Sequence, residues 1–203
     1  MPARGGTGRP NQRLRTRHDL LSAAARLIKQ GGTPSLEQVA EAAMVSRATA
    51  YRYFPSIDAL LVEAPIEGEA PDPDTLFRDS RSADPADRVD AAEAALHEVV
   101  YRNEAQLRRL LASSLHRVAT DGKTPVRQNR RSALIEAALA PLKSRLSRSA
   151  YRRLCAALGV YFGPEAMIVF RDVLQVDAAQ ARKVKSWAVR ALVRAAVREA
   201  SRK

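Results

Sequence analysis

The chain has 203 residues, of which 46% are hydrophobic, and this is enough to bury a core and argues against disorder throughout. Its 34 Lys and Arg residues against 22 Asp and Glu give a net charge of +12, which attracts nucleic acids and anionic membrane surfaces alike. One cysteine, Cys155, excludes an internal disulfide, and with three histidines it leaves no credible zinc cluster. We therefore expect a protein without metal or cofactor in a reducing cytoplasm.

Neither secretion nor a membrane span is expected. The arginines near the N-terminus are not followed by an apolar signal-peptide region, and no apolar stretch approaches the ~18 residues that a spanning helix needs. The net charge by itself does not choose between nucleic acid and an anionic membrane surface.

Residues 1–13 are rich in Gly, Pro and Arg and show no hydrophobic period, which predicts a flexible basic arm. Within this arm Gly8-Arg9-Pro10 resembles the core of an AT-hook, in which an extended arginine enters a narrow A·T minor groove. Arg9 and Arg13 are therefore candidate DNA contacts. A disordered, solubilising tail is the alternative.

Four short apolar patterns with helical spacing follow the arm. Gly31-Gly32 ends the first, and Ser35, Ser46 and Ser56 are candidate caps for the next three. Pro55 halts the third pattern, so both middle helices must be short. Two short helices joined at Met44-Val45 and preceded by a supporting helix predict a helix-turn-helix at residues 35–54, whose second helix enters the major groove of DNA.

The sequence SLEQVAEAAMVSRATAYRYFPSIDALL, which starts at Ser35, resembles the DNA-binding domain of the TetR family of transcriptional regulators. The likeness includes Val-Ser before the second helix of the motif, Thr-x-Tyr-x-Tyr-Phe within it, and Ser-x-Asp-x-Leu-Leu after it. It covers residues 15–62. The resemblance implies a DNA-binding domain at residues 14–64.

The resemblance also implies which side chains meet DNA. Arg47 would read a base, because its guanidinium can bond a guanine edge at two points. Tyr51 and Tyr53 match positions that hold phosphates, and Arg52 would contact phosphate or base. Core packing of the tyrosines and a solvated Arg47 are the alternatives. The full candidate set in this segment is Ser46, Arg47, Ala48, Thr49, Tyr51, Arg52 and Tyr53.

Four residues depart from the family pattern: Met44, Ala48, Ala50 and Ile57. Ala48 stands where glycine is common, and Ala50 stands where leucine is common. Met44 stands where glycine is usual in the turn, so the turn either avoids a positive φ or is strained. Ile57 stands where a phosphate-binding lysine is frequent, and we expect its side chain to point outward. Burial between the first and fourth helices is the alternative.

The second part of the chain is predicted to be a larger helical domain. Residues 65–85 hold four prolines and many acidic residues, which predicts a linker. Residues 86–203 form Ala-, Leu- and Arg-rich helical patterns, and no alternating strand pattern occurs. The predicted fold is therefore all-α, with a three-helix helix-turn-helix domain followed by a helical ligand-binding and dimerisation domain. The helices are expected at about 86–101, 104–119 and 127–146, then after Ser147 or Ser149, divided at Gly163-Pro164, and after Asp177.

By the resemblance, this domain forms a homodimer through residues 150–174 and 178–200 and encloses a small-molecule effector. Core packing is the alternative for each apolar candidate, and surface exposure is the alternative for the two histidines. The candidate ligand contacts are His97, Tyr101, Leu111, His116, Ile135, Leu139, Leu158, Tyr161 and Phe162.

The function that these observations favour is a repressor that binds an inverted-repeat operator and is released by its effector. The alternative is a sequence-nonspecific DNA-architectural protein without an effector. An enzyme is disfavoured, because the sequence shows neither a Cys-His or Ser-His local signature nor a glycine-rich phosphate loop.

Overall fold

The computed structural model describes residues 8–67, 69–78, 82–121 and 130–201. All regular structure in these ranges is helical, which confirms the predicted all-α fold. The described ranges also contain a 3₁₀ turn at Ala140–Leu142 and a π-helical turn at Val169–Val173. The helices are α1 (Gly8–Lys29), α2 (Leu36–Ala42), α3 (Arg47–Tyr53), α4 (Ile57–Glu67), α5 (Pro73–Arg78), α6 (Pro85–Arg102), α7 (Glu104–Asp121), α8 (Arg130–Ala138), α9 (Arg148–Gly159), α10 (Pro164–Ile168) and α11 (Ala178–Ala200).

Three helix boundaries differ from the prediction. Helix α1 begins at Gly8, inside the predicted arm. The helix tolerates Pro10 because this residue lies in the first turn, where the missing N–H interrupts no hydrogen bond. The predicted linker contains α5. The helix expected at 127–146 is shorter, since α8 gives way to a 3₁₀ turn that contains Pro141. Residues 1–7 of the expected arm lie outside the described part of the chain.

The predicted capping residues begin the helices as expected. Ser35 and Gln38 form a reciprocal capping box at the start of α2. The Ser46 side chain accepts a hydrogen bond from the Thr49 backbone N–H, and Ser147 and Asp177 act in the same way before α9 and α11. The helix starts are therefore set by local side-chain chemistry.

The chain divides into two compact units. The first contains the described residues within 1–69 and 109–128, and the second contains those within 70–108 and 129–203. In the first unit α1 packs against α2 and α4, and α2 packs against α3. The side chains buried at the centre of these four helices hold α3 in place; they include Leu20, Leu21, Leu36, Val39, Ala50, Phe54 and Leu60.

Ile57 and Met44 have different surroundings in the first unit. Ile57 is half-buried and packs against the core of the first unit, so the expectation of an outward-pointing side chain is wrong. It packs there because α4 lies against α1. Met44 has φ = 55° and a side chain that is 93% exposed. The turn therefore takes the left-handed conformation that glycine adopts without strain.

In the second unit α6 packs along α11, and α8 packs against α6 and α9. Its buried apolar side chains include Leu134, Ile135, Leu139, Leu158, Phe162 and Met167.

Among the described residues, no single helix is long and apolar enough to cross a membrane. The two helical segments Arg148–Gly159 and Pro164–Val173 are bent by 46° at the break between them. Taken together they are long and apolar enough for a span, by length and composition only.

Candidate nucleic-acid interface

Helix α3 presents most of its side chains to solvent. Ala50 is the buried member of its seven residues and packs into the core of the first unit. Arg47, Ala48, Tyr51 and Arg52 are exposed. The core of the first unit holds α3 through its buried side, so the opposite side is free to enter a groove of DNA.

The start of α3 is ordered by its cap. The Ser46 hydroxyl accepts from the Thr49 N–H at 3.2 Å and donates to the Thr49 hydroxyl at 2.9 Å. In the protein without DNA, the side chains of Ser46 and Thr49 are therefore hydrogen-bonded to each other. The neighbouring Arg47 side chain is 72% exposed, as a base-reading arginine must be.

The two tyrosines of α3 differ in their surroundings. The Tyr51 side chain is exposed, whereas Tyr53 is half-buried and packs against the core of the first unit. The guanidinium of Arg52 lies 5.6 Å from the centre of the Tyr53 ring. Of the two, Tyr51 is the more exposed, and Tyr53 combines packing with partial exposure.

Glu37 on α2 is a member of this surface that the sequence analysis missed. Its Oε1 accepts a hydrogen bond from the Arg47 guanidinium at 2.9 Å and another from the Tyr51 hydroxyl at 2.9 Å. The contact joins residues on two different helices, so no helical spacing in the sequence indicates it. The contact depends on the angle at which α2 and α3 cross.

The electrostatics of this cluster follow from the shared carboxylate. The backbone N–H of Glu37, then Tyr51, Arg47 and Ser35, lower the pKa of Glu37 to about 2. The bond to this carboxylate raises the pKa of Tyr51. Glu37 is therefore an anion, and Tyr51 a neutral donor, at every physiological pH.

A second set of contacts fixes the supporting helices. Arg17 on α1 forms an ion pair with Glu63 on α4, and its guanidinium lies 4.3 Å from the centre of the Phe54 ring. Phe54 follows directly after α3 and is buried. Arg17 thus joins α1, α4 and the end of the recognition helix in one contact.

Comparison with known families identifies this domain. Residues 20–64 match the family described as "Bacterial regulatory proteins, tetR family". The chain carries the DNA-binding domain of a TetR-family regulator. The match runs from α1 into α4 and includes the whole helix-turn-helix, which confirms the resemblance found in the sequence. The protein is therefore a DNA-binding transcriptional regulator. No curated protein and no solved structure matches the chain.

Two further DNA-contact candidates lie on α1. Arg9 and Arg13 belong to its first turns instead of to an extended arm. Their side chains lie outside the described part of the structure. Their contacts with DNA stay a prediction.

The candidate ligand residues fall in both units. Leu111 is half-buried and His116 exposed, and both fall in the first unit. Tyr161 in the second unit is half-buried. His97 is buried beside Tyr101, with ring centroids 4.2 Å apart. Four apolar candidates are fully buried in the core of the second unit: Ile135, Leu139, Leu158 and Phe162.

His97 and Tyr101 belong to a buried polar cluster between α6 and α11. Glu93 on α6 forms an ion pair with Lys185 on α11, and each of these side chains is only 1% exposed. Within the described residues, His97 Nδ1 and the Tyr101 hydroxyl are buried without a hydrogen-bond partner. Burial, followed by the charges of Lys185 and Arg182, lowers the pKa of His97 to about 4. The imidazole is therefore neutral at pH 7.

In the described part of the chain, no group of three or more His, Cys, Asp or Glu side chains is arranged to hold a metal ion.

Proposed function

We propose that this regulator is a repressor that binds an inverted-repeat operator as a homodimer and leaves it when a small-molecule effector binds. The observation that carries the proposal is the outward face of α3. Arg47 and Tyr51 lie one turn apart on that face, and both are exposed. A guanidinium that reads a base edge and a hydroxyl that bonds a phosphate are the two contact types that sequence-specific binding needs.

Exposed apolar side chains in the second unit support the homodimer. Trp187 on α11 is 74% exposed, and Val173, at the end of the π-helical turn, is 71% exposed. Exposed large apolar groups support an interface when they form a contiguous patch, and the proposed dimer requires that these do. They fall within residues 150–174 and 178–200, the segments expected at the interface. The other members are Val160, Val169, Leu174 and Val184.

A twofold dimer would explain the form of the operator. Two copies of α3 related by a twofold axis read two half-sites of opposite direction, about one DNA turn or ~34–36 Å apart. A protein bound across a promoter in this way excludes the polymerase, and this is the basis for proposing repression.

The polar atoms of His97 and Tyr101 support an effector contact in the second unit. A buried polar atom without a partner costs about 1–3 kcal/mol, which a ligand that bonds it would recover. We accordingly assign residues 14–64 to DNA binding and 86–203 to sensing and dimerisation. The regulator acts by binding, so we propose no catalytic activity.

Selection of bound sites from random duplex DNA, followed by sequencing, tests the proposal. We expect an enriched inverted repeat. Arg47→Ala, selected in parallel, should lose one symmetric pair of preferred bases and keep the rest. Featureless enrichment with the unchanged protein would contradict the proposal and favour a DNA-architectural protein.

Repression and release are tested with a reporter whose promoter overlaps the enriched sequence. Expression should fall when the regulator is present. Increased expression would contradict repressor action. The same reporter, screened against small molecules, should recover expression with an effector that binds the purified protein.

A further inference from the structure

The contacts of Glu37 have a consequence for how the regulator discriminates between DNA sequences. One carboxylate oxygen of Glu37 bonds both Arg47 and Tyr51, each at 2.9 Å. These two side chains are the ones assigned above to base reading and phosphate contact. Glu37 therefore lies on the same surface as the DNA-contacting groups and is linked directly to both.

The position of Glu37 is itself fixed. It lies in the first turn of α2, where the reciprocal bonds of Ser35 and Gln38 hold the backbone. Its side chain is 35% exposed, against 72% for Arg47. The more exposed arginine is thus bonded to a less exposed carboxylate on the neighbouring helix.

We propose that Glu37 is a specificity-determining residue that positions Arg47 for base reading and withholds it from phosphates. This inference rests on the proposed function, because it assumes that Arg47 reads a base. One guanidinium nitrogen of Arg47 bonds Glu37, and the remaining N–H groups stay available for a base edge. Holding a long side chain in advance reduces the conformational entropy that binding would otherwise remove.

The negative charge of Glu37 also affects how strongly the regulator binds DNA of any sequence. A carboxylate on a DNA-facing surface repels phosphates, and its contact with Arg47 offsets the charge that would otherwise attract them. Binding to DNA of any sequence is therefore weakened. Binding to the operator is weakened less, because there the positioned Arg47 gains its base contact.

The test compares Glu37→Gln with Glu41→Gln, which makes the same change of charge on an exposed residue one turn along α2. Affinity is measured for the duplex recovered by selection and for a pool of random-sequence duplexes, at several salt concentrations. Glu37→Gln should raise affinity for the random pool by about twofold to fivefold, the scale of one unit charge near a phosphate in water. It should lower the ratio of selected-duplex to random-pool affinity by about fivefold. Glu41→Gln should change the ratio much less.

The double variant Glu37→Gln with Arg47→Ala separates positioning from a merely structural effect. If Glu37 acts through Arg47, the double variant has the same affinity ratio as Arg47→Ala alone. Equal ratios for Glu37→Gln and Glu41→Gln would overturn the inference. A uniform loss of affinity of Glu37→Gln with a lower melting temperature would also overturn the inference. A changed base preference of Glu37→Gln without a rise in random-pool affinity would overturn it as well, because Glu37 would then read a base directly. A selection without any enriched sequence would instead contradict the proposed function and the specificity role together.

Discussion

Lys185 on α11 and Glu93 on α6 form an ion pair in which each side chain is 1% exposed. Arg182 also contacts the Glu93 carboxylate, at 3.2 Å. Burial raises the pKa of Glu93 and lowers that of Lys185, so the environment disfavours both charges and their mutual attraction retains them. The pair joins the two helices that pack along each other in the second unit.

Removing one partner of this pair should destabilise the second unit. Lys185→Met leaves the Glu93 carboxylate buried with Arg182 alone, and we expect a loss of about 3 kcal/mol in the free energy of unfolding. The double variant Glu93→Leu with Lys185→Met should recover most of the loss, because no buried charge is left uncompensated. Urea unfolding of the single and double variants measures both values. A double variant whose loss equals the sum of the two single losses would show that the side chains are not coupled.

His97 should make stability depend on pH. Its pKa is lowered to about 4 from 6.5 by burial and by the charges of Lys185 and Arg182. As the pH falls below 6.5, the unfolded chain therefore binds a proton that the folded chain does not. The free energy of unfolding should decrease between pH 6.5 and 4, by at most about 1.4 kcal/mol per pH unit from this group.

The comparison of His97→Gln with His116→Gln isolates that contribution. Glu93 is present in both variants, and His116 is exposed. Replacing His97 should flatten the dependence on pH in this window relative to the unchanged protein. Parallel curves for the two variants would show that His97 is not the group responsible.

Met44 is expected to store strain in the turn of the helix-turn-helix. Its φ of 55° is unfavourable for a side chain with a Cβ, and its exposed side chain contributes little packing. Met44→Gly should therefore raise the free energy of unfolding by about 0.5–1 kcal/mol. Ala43→Gly, at an ordinary φ of −91°, should lower it. Thermal unfolding decides the matter, and equal destabilisation by both changes would mean that Met44 is unstrained.

Trp187 offers a direct probe of the proposed dimer. Because the indole is 74% exposed in one chain, Trp187→Glu should leave the folded subunit intact and disrupt only an interface that covers it. We expect the dissociation constant of the dimer to rise by about tenfold or more. Sedimentation measures it, with Ala91→Glu on the exposed side of α6 as the control. An unchanged dimer would place the interface elsewhere.

The sequence predicted the helix starts because their chemistry is local. Ser35, Ser46 and Asp177 each bond a backbone N–H two or three residues inside the helix that they begin. The same holds for the helix-turn-helix, whose pattern lies within one short segment. The start of α1 was missed because a Gly- and Pro-rich composition outweighed the tolerance of a helix for proline in its first turn.

The contacts between helices that are distant in the sequence could not be predicted from it, although the sequence indicated that some of the charged residues are buried. Glu93 lies at helical spacing from Val89 and Leu96, and Lys185 from Ala181 and Val189. Each charge therefore sits on the apolar side of its helix, which indicates burial. That the two meet each other depends on the packing of α6 against α11. The Glu37 contact likewise depends on how α2 and α3 cross.

Binding of Arg47→Ala to single-base variants of the selected duplex tests the central claim, that α3 reads DNA through Arg47. The account predicts a loss of preference at one symmetric pair of base positions, worth about 1–3 kcal/mol, with preference elsewhere retained. Equal weakening on every duplex, with all base preferences intact, would show that Arg47 contacts only the DNA backbone and would contradict the account.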